Sequence, residues 1–207
     1  VKVAEGVYNQ AIKTKKHVHV YGGYSAATGE RNVDAYFTIL DGTGLKTVLI
    51  NQSATFKDTT CFDGLILQNA QNTSAGGGVV LKAKGVLRHC TIRNCYTDGN
   101  GGGVSNDGGW ITNCVIELCE AMGAGGAVRN NGGIVENTII RGCKGNYAAI
   151  RNENKGVVRN CLLHNNEPSG SDWPNSGGIY NPSGVVYNNT LACNYGSQYA
   201  GIHSDNV

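Results

Sequence analysis

Four ten-residue segments in the middle of the chain repeat one another and decide the fold. They read VLRHCTIRNC from Val86, WITNCVIELC from Trp110, IVENTIIRGC from Ile134 and VVRNCLLHNN from Val157, so they start at almost equal intervals. A further copy, VVYNNTLACN, starts at Val185 after a slightly longer interval, and a weaker one, TCFDGLILQN, starts at Thr60, one interval before Val86. A regular period of this kind predicts a chain that coils into stacked, similar units.

The residues within each repeat alternate as in a β-strand. In the copy that starts at Trp110, Ile111 and Ile116 would point inward, and Val115 and Glu117 outward. A second landmark, a small residue followed by a β-branched one, recurs once per coil at Gly103-Val104, Ala127-Val128, Ala149-Ile150, Gly178-Ile179 and Gly201-Ile202. The pattern therefore indicates two apolar strands per coil, joined by Gly and Asn turns. Apolar residues at helical spacing are not sustained in this region.

These observations predict an all-β fold, a single-stranded right-handed parallel β-helix with about 23–28 residues per coil. We expect one domain over residues 1–207, with an N-terminal cap and the first coils in residues 1–59 and six repeat coils in residues 60–207. The chain stops partway through a coil, and we expect it to be a truncated part of a longer protein.

Asparagines recur at two fixed places in the coil. Asn tolerates the left-handed backbone conformation that a sharp bend needs, and its amide can pair with the same amide one coil away, at about 4.8 Å. We predict two asparagine ladders, one of Asn113, Asn137, Asn160 and Asn188, and one of Asn106, Asn130, Asn152 and Asn181.

The eight cysteines also follow the repeat. Cys95, Cys119 and Cys143 share one inward position, and Cys90 and Cys114 share another. Three interpretations are open: stacked buried thiols, disulfides between adjacent coils, or a metal site. Stacked thiols are favoured because parallel Cβ vectors suit a disulfide poorly and the chain has no C-x-x-C pair.

Several short motifs resemble those of the pectin-lyase-like right-handed parallel β-helix proteins of bacterial surfaces. Gly125-Gly126-Ala127-Val128 and Gly177-Gly178-Ile179 are similar to the GGA-I motif of chlamydial polymorphic outer-membrane protein repeats. Segments 66–69, 163–166 and 191–194 are similar to the F-x-x-N motif of those repeats, with an aliphatic residue in place of Phe, and the middle coils place Cys where that motif has Asn. The resemblance implies the fold and a surface location, but this fold carries lyases, hydrolases, adhesins and stalks alike.

The composition excludes some classes of function. The chain of 207 residues has a net charge of only +2, so it lacks the basic field of a nucleic-acid-binding protein. No apolar stretch is long enough to span a membrane, and the N-terminus does not read as a signal peptide. The sequence indicates no cofactor and no metal, since His17 and His19 would supply only two ligands.

Outward positions carry the candidate ligand-binding residues. They form one row of Arg93, Glu117, Arg141 and His164, and a second that includes Arg129, Arg151 and Tyr180; Trp173 lies in the longest insertion. The rows are either solvated charge ladders or a surface for an acidic polysaccharide. A line of Val115, Ile139 and Leu162 is apolar although outward, and we expect a loop, a further part of the chain or a partner to cover it.

No cluster of catalytic groups stands out from the sequence, since carboxylates are scattered and Asp41-Gly42 and Asp63-Gly64 read as turns. The sequence therefore favours a secreted or cell-surface module, an adhesin-like or structural scaffold that presents its sides to a polysaccharide or a host surface. The alternative is a polysaccharide lyase or glycoside hydrolase that acts on an acidic polysaccharide.

Overall fold

The chain folds into a right-handed parallel β-helix, which confirms the predicted fold class. A computed structural model describes residues 1–14, 18–51, 58–170 and 176–205. Within those ranges there is no helix, and each coil adds one strand to each of three parallel sheets. We call these sheets A, B and C in the order in which the chain meets them, and we number the coils 1 to 8 from the N-terminus.

Each of the three sheets has eight strands, ordered by coil. Sheet A contains Lys2–Ala4, Val20–Tyr24, Thr60–Asp63, Gly85–Arg88, Trp110–Thr112, Ile134–Glu136, Val157–Arg159 and Val185–Tyr187. Sheet B contains Gly6–Tyr8, Thr38–Asp41, Leu65–Gln68, Thr91–Arg93, Val115–Glu117, Ile139–Arg141, Leu162–His164 and Thr190–Ala192. Sheet C contains Ile12–Thr14, Leu49–Asn51, Val79–Lys82, Val104–Asp107, Val128–Asn131, Ile150–Glu153, Ile179–Asn181 and Ile202–Ser204. A short sheet D joins Gln71–Asn72, Tyr96–Thr97, Glu120–Ala121 and Lys144–Gly145.

The expectation of two strands per coil is wrong, because each ten-residue repeat contains a sharp bend. That bend separates a strand of sheet A from a strand of sheet B, and we call it the A–B corner. The four asparagines predicted to bend the chain here have left-handed backbones: φ is 51° at Asn113, 48° at Asn137, 54° at Asn160 and 53° at Asn188. Their side chains are exposed, and in the described part of the chain one amide pair of this series forms, from Asn188 to Asn160.

The repeat that begins coil 3 pairs one position away from the sequence alignment. Cys61, not Thr60, lies beside Val86, and Asp63 lies beside Arg88. The shift matters because side chains alternate in a strand, and a slip by one position exchanges the inward and outward sets. In the observed register Phe62 points into the core, fully buried.

The core is a column of aliphatic side chains flanked by thiols. All eight cysteines are free, and seven of them are buried. Cys143 Sγ donates to the carbonyl of Ile116 in the preceding coil, and one coil later Asn166 Nδ2 donates to the equivalent carbonyl of Ile140. Cys and Asn exchange at this position because both are small and both can donate to that carbonyl. Burial raises the pKa of Cys161 to about 11, which keeps this thiol protonated at neutral pH.

The second asparagine series lies near the ends of the sheet C strands of coils 4 to 7 and forms a continuous buried ladder. Amide nitrogens donate to the next amide oxygen at 2.8 Å from Asn106 to Asn130, from Asn130 to Asn152 and from Asn152 to Asn181. Each amide also donates to a carbonyl in the turn that leads back to sheet A. The ladder therefore fixes these turns one above another.

Candidate functional site

The predicted row on sheet B is largely paired within the molecule. Arg141 forms an ion pair with Glu117 of the preceding coil, as expected for opposite charges at one position of neighbouring coils. Arg93 does not pair with Glu117; its Nε and Nη2 donate to Gln68 Oε1 at 2.9 and 2.7 Å. His164 lies beside Arg141 in the sheet register. Three of the four side chains of this row are therefore engaged in pairs within the molecule, and the row does not form a cluster.

The apolar line beside that row is only partly covered. Val115 is half-buried, whereas Ile139 and Leu162 are 37% and 36% exposed. Val115 faces a groove whose opposite wall is a loop of coil 2. Within the described residues that loop reaches only this end of the line, so the expected cover is incomplete.

The outer face of sheet C carries a network of charges. Arg129 bridges Asp107 and Glu153 with ion-pair distances of 3.1 and 2.8 Å, and Arg151 Nε lies 2.8 Å from Glu153. Lys82 pairs with Asp107 at the other end. The network therefore spans four coils and holds the two arginines side by side.

Aromatic rings continue this network toward the C-terminal coils. The Arg151 guanidinium lies 6.0 Å from the ring centre of Tyr147 and 5.7 Å from that of Tyr180. Tyr180 stacks on His203 at 5.3 Å, and His203 stacks on Tyr199 at 4.2 Å. Burial, together with a hydrogen bond to Asp205, raises the pKa of Tyr180 to about 12. We call Arg129, Arg151, Tyr147, Tyr180, Tyr199 and His203 the arginine–tyrosine strip.

Charges of both signs are exposed along this face. The side chains of Arg129 and Arg151 are 25% and 32% exposed, and those of the carboxylates are 12% exposed for Glu153, 23% for Asp107 and 38% for Asp205. Arg151 is more exposed than Glu153, the carboxylate that holds it, so an anion can reach its guanidinium group.

Asp107 on this face does not resemble a catalytic acid. Burial would raise the pKa of Asp107, but hydrogen bonds from Lys82 and Asn131, with the charges of Lys82 and Arg129, lower it overall. A general acid at neutral pH needs a raised pKa. Asp107 is thus suited to hold Lys82 and Arg129 in place.

Sequence reasoning missed a second cluster, which lies at the A–B corner of coils 3 and 4. Asp63, 1% exposed, accepts from Arg31 Nη2 at 2.8 Å and from Arg88 Nε at 2.7 Å. His89 Nδ1 lies 3.3 Å from the same carboxylate. Burial would raise the pKa of Asp63, but hydrogen bonds from the two arginines lower it. Asp63 was predicted to be a turn residue, and the only sequence signal was His89 at a position where other coils have Asn or Gly.

Two predicted residues, Trp173 and His17, lie outside the described residues. His19 Nδ1 accepts from the backbone N–H of Cys61 at 3.2 Å. Among residues 1–14, 18–51, 58–170 and 176–205, no group of three or more His, Cys, Asp or Glu side chains is arranged to hold a metal ion. The same ranges contain no helix long and apolar enough to cross a membrane.

Comparison with known proteins finds no relative. No protein-family model matches the chain, and neither a curated protein nor a solved structure shows significant similarity to it.

Proposed function

We propose that this chain is a secreted or cell-surface module, adhesin-like and non-catalytic, that binds an anionic polysaccharide on sheet C. The observation that carries the proposal is the arginine–tyrosine strip, in which Arg129, Arg151, Tyr180 and His203 occupy one outward position of four successive coils. Carboxylate or sulfate groups pair with guanidinium, and the apolar edges and faces of sugar rings contact aromatic side chains. A repeated surface suits a repeated polymer.

The fold and the GGA-I-like motifs support a place among the pectin-lyase-like β-helix proteins of bacterial surfaces. That placement is part of the proposal, as is the extracellular location. Fractionation of the cells that make the protein tests the location: we expect the protein in the medium or open to protease on intact cells, and a cytoplasmic pool would contradict it.

Binding to polysaccharides tests the proposed function. We expect the protein to bind polyuronates and sulfated glycans, and not neutral glucans, in calorimetric titrations with salt-sensitive affinity. Arg151→Gln and Tyr180→Ala should each weaken binding about tenfold, the effect of roughly 1.4 kcal/mol. Arg141→Gln, which removes an equally positive side chain from sheet B, should leave affinity unchanged.

The same assay separates this proposal from the enzymatic alternative. We expect no new reducing ends and no unsaturated products after prolonged incubation, because the pKa of Asp107 is lowered by Lys82 and Arg129 and this carboxylate is unsuited to act as a general acid. Turnover of any glycan would favour a lyase or hydrolase. Equal loss of affinity in Arg141→Gln would show that only net charge matters and would overturn the role of the strip.

A further inference from the structure

The A–B corner differs in coil 2 from every later coil. After coil 2, one residue with a left-handed backbone makes the bend. In coil 2 the chain instead leaves sheet A after Tyr24 and enters sheet B only at Thr38. Residues 25–37 form the insertion, which we call the corner loop. Internal hydrogen bonds hold it, from Ser25 N to Glu30 O and from Tyr36 N to Asn32 O, both within 2.9 Å.

The corner loop is fastened to the solenoid by packing and charge. Val33 lies over Gly23 and Gly64, where an added Cβ would meet Val33 Cγ1 at 2.8 and 2.6 Å; both glycines have φ above +70°. Arg31 donates to the carbonyl of Gly22 and to buried Asp63. The loop is therefore a built wall beside the corner, not a loose excursion.

Between this wall and the corners of coils 3 to 5 lies a groove of about 580 Å³. This volume is in the range of small-molecule sites, about 300–1,000 Å³. Its lining combines apolar and polar side chains, among them Phe37, Val115, Arg31, Asp34, His89 and Asn113. Phe37 is 50% exposed, so its ring is open to contact.

His89 is the residue that the repeat itself does not explain. The same bend is Gly64 in coil 3 and Asn in coils 5 to 8, and all of these adopt the left-handed backbone, as His89 does with φ 49°. The fold therefore does not require His there. Its imidazole lies beside the buried carboxylate of Asp63 and the corner loop. A buried carboxylate paired with an arginine of the next coil recurs in Glu136 and Arg159, but there Asn160 makes the bend and no insertion in the described chain lies beside it. Two departures from the repeat, His89 and the corner loop, thus meet beside Asp63.

Exposure determines the charge that a ligand meets in this groove. The Arg31 and His89 side chains, which line the groove, are 32% and 47% exposed, whereas Asp63 is 1% exposed. Because Nδ1 of His89 is directed at Asp63, Nε2 on the far side of the ring is directed away from it. The guanidinium group of Arg31 presents donors for an anion. Nε2 of His89 donates when the ring carries both protons and accepts from a hydroxyl group when only Nδ1 is protonated, while Asp34 at the rim is an acceptor for hydroxyl groups.

We propose that this groove is a second binding site that takes a single carboxylate-bearing sugar. The carboxylate would lie against His89 and Arg31, hydroxyl groups would reach Asp34 and Asn113, and the apolar face of the sugar would contact Phe37. The proposal does not depend on the arginine–tyrosine strip, which lies on sheet C. It assigns a role to the corner loop and to the one histidine of the bend series.

Glucuronate and galacturonate, compared with glucose and galactose, are the probes that test the site. We expect saturable binding of the uronates, detected by calorimetry and by NMR shifts of the His89 ring, with at least about tenfold weaker binding of the neutral sugars. His89→Asn should weaken uronate binding about tenfold and leave the melting temperature unchanged, since Asn makes this bend in four other coils. Phe37→Ala should weaken the binding of all sugars.

A matched control places the same side chain at a corner without a wall. Asn137→His should create no uronate binding in a His89→Asn background, because no corner loop lies beside that bend and Thr112 occupies the place in the preceding coil that Asp63 occupies beside His89. Arg151→Gln should leave uronate binding unchanged, which separates this site from polysaccharide binding on sheet C. Absence of saturable binding, equal affinity for acidic and neutral sugars, or full affinity in His89→Asn would each overturn the proposal.

Discussion

Asp63 shows how one side chain can organise two elements that are far apart in sequence. Its carboxylate is almost fully buried, yet it accepts hydrogen bonds from Arg31 of the corner loop and from Arg88 of the next coil. Buried carboxylates are unfavourable unless they are paired in this way. Asp63 therefore joins the corner loop to the next coil of the solenoid.

Asp63→Asn should destabilise the protein by about 1–3 kcal/mol, because two guanidinium groups lose their charged acceptor. This loss of stability is smaller than that for breaking a fully buried ion pair, because both arginine side chains can turn to solvent. Urea unfolding measures the change. Lys144→Gln, which breaks a pair with Glu167 that is about half exposed on both sides, is the control and should have no measurable effect. An unchanged unfolding midpoint in Asp63→Asn would show that the corner loop is held by packing alone.

Asp41 provides a prediction about pH. Hydrogen bonds from the Thr43 hydroxyl, Gln68 and the Thr43 backbone lower its pKa from 3.8 to about 2. A carboxylate with a lowered pKa in the folded state stabilises that state above the unfolded pKa, and this contribution disappears as the folded group is protonated. The stability difference between the wild type and Asp41→Asn should therefore narrow as pH falls from 3.8 to about 2. Urea titrations across this range test it, and a difference independent of pH would contradict it.

At the level of elements, the turns from sheet C to sheet A depend on buried amides. Asn130 accepts from Asn106 and donates to Asn152 and to the carbonyl of Gly133. Each of these groups is buried, so water cannot replace a hydrogen bond that is lost. The ladder acts as a unit because polar groups in a network polarise one another.

Asn130→Ala should destabilise the protein by roughly 3 kcal/mol, since it leaves several buried donors and acceptors without a partner. Asn131→Ala is the control: the adjacent side chain is half-exposed, and water can replace its bond to Asp107. Thermal unfolding of both variants gives the comparison. Similar losses in the two would mean that the ladder contributes no more than a surface hydrogen bond.

The apolar segments of the repeat, the corner bends and the sheet C turns follow from local patterns, so the sequence predicts where they lie. Alternation identifies the inward residues, and Asn at a break in alternation identifies a bend. The third strand of each coil was missed because the bend divides what looks like one strand in the sequence into two. The register of Thr60–Asp63 was missed because this copy resembles the repeat so weakly that it can be aligned one position away. Both errors come from judging pairing without the partner strand.

The two surfaces could be foreseen to different degrees. Arg129, Arg151 and Tyr180 recur at coil spacing, so the sequence already places them on one outward row, although it does not show their shared carboxylates. The groove at Asp63 could not be predicted, because Arg31 reaches it from an insertion whose path no repeat defines. Contacts between an irregular loop and a regular coil carry no periodic signal.

For the molecule as a whole, stability comes mainly from contacts between neighbouring coils. In coil 5 the inward residues Ile111, Ile116 and Val128 are fully buried, whereas in coil 8 Leu191 is only half-buried and Ile202 is 47% exposed. The inward side chains of coil 8 are therefore less well packed than those of coil 5. We expect the middle coils to be the most stable part of the solenoid.

Amide hydrogen exchange should follow this gradient. Strands of coils 4 to 6 should exchange only by global unfolding, whereas those of coil 8 should exchange through local opening at a lower free energy. Mass spectrometry of peptides from exchanged samples measures both regions in one experiment. Uniform exchange along the solenoid would instead show that all coils open together.

The bend series also bears on how such a protein can change over generations. Codons for asparagine and histidine differ at one base, and both residues accept the left-handed backbone that the corners of coils 4 to 8 adopt. A single point mutation can therefore put an imidazole at any of the four asparagine corners without disturbing the solenoid, and selection can keep it where a neighbouring insertion makes it useful. The asparagines of the other corners are, in this sense, a reserve of positions from which new sites can arise.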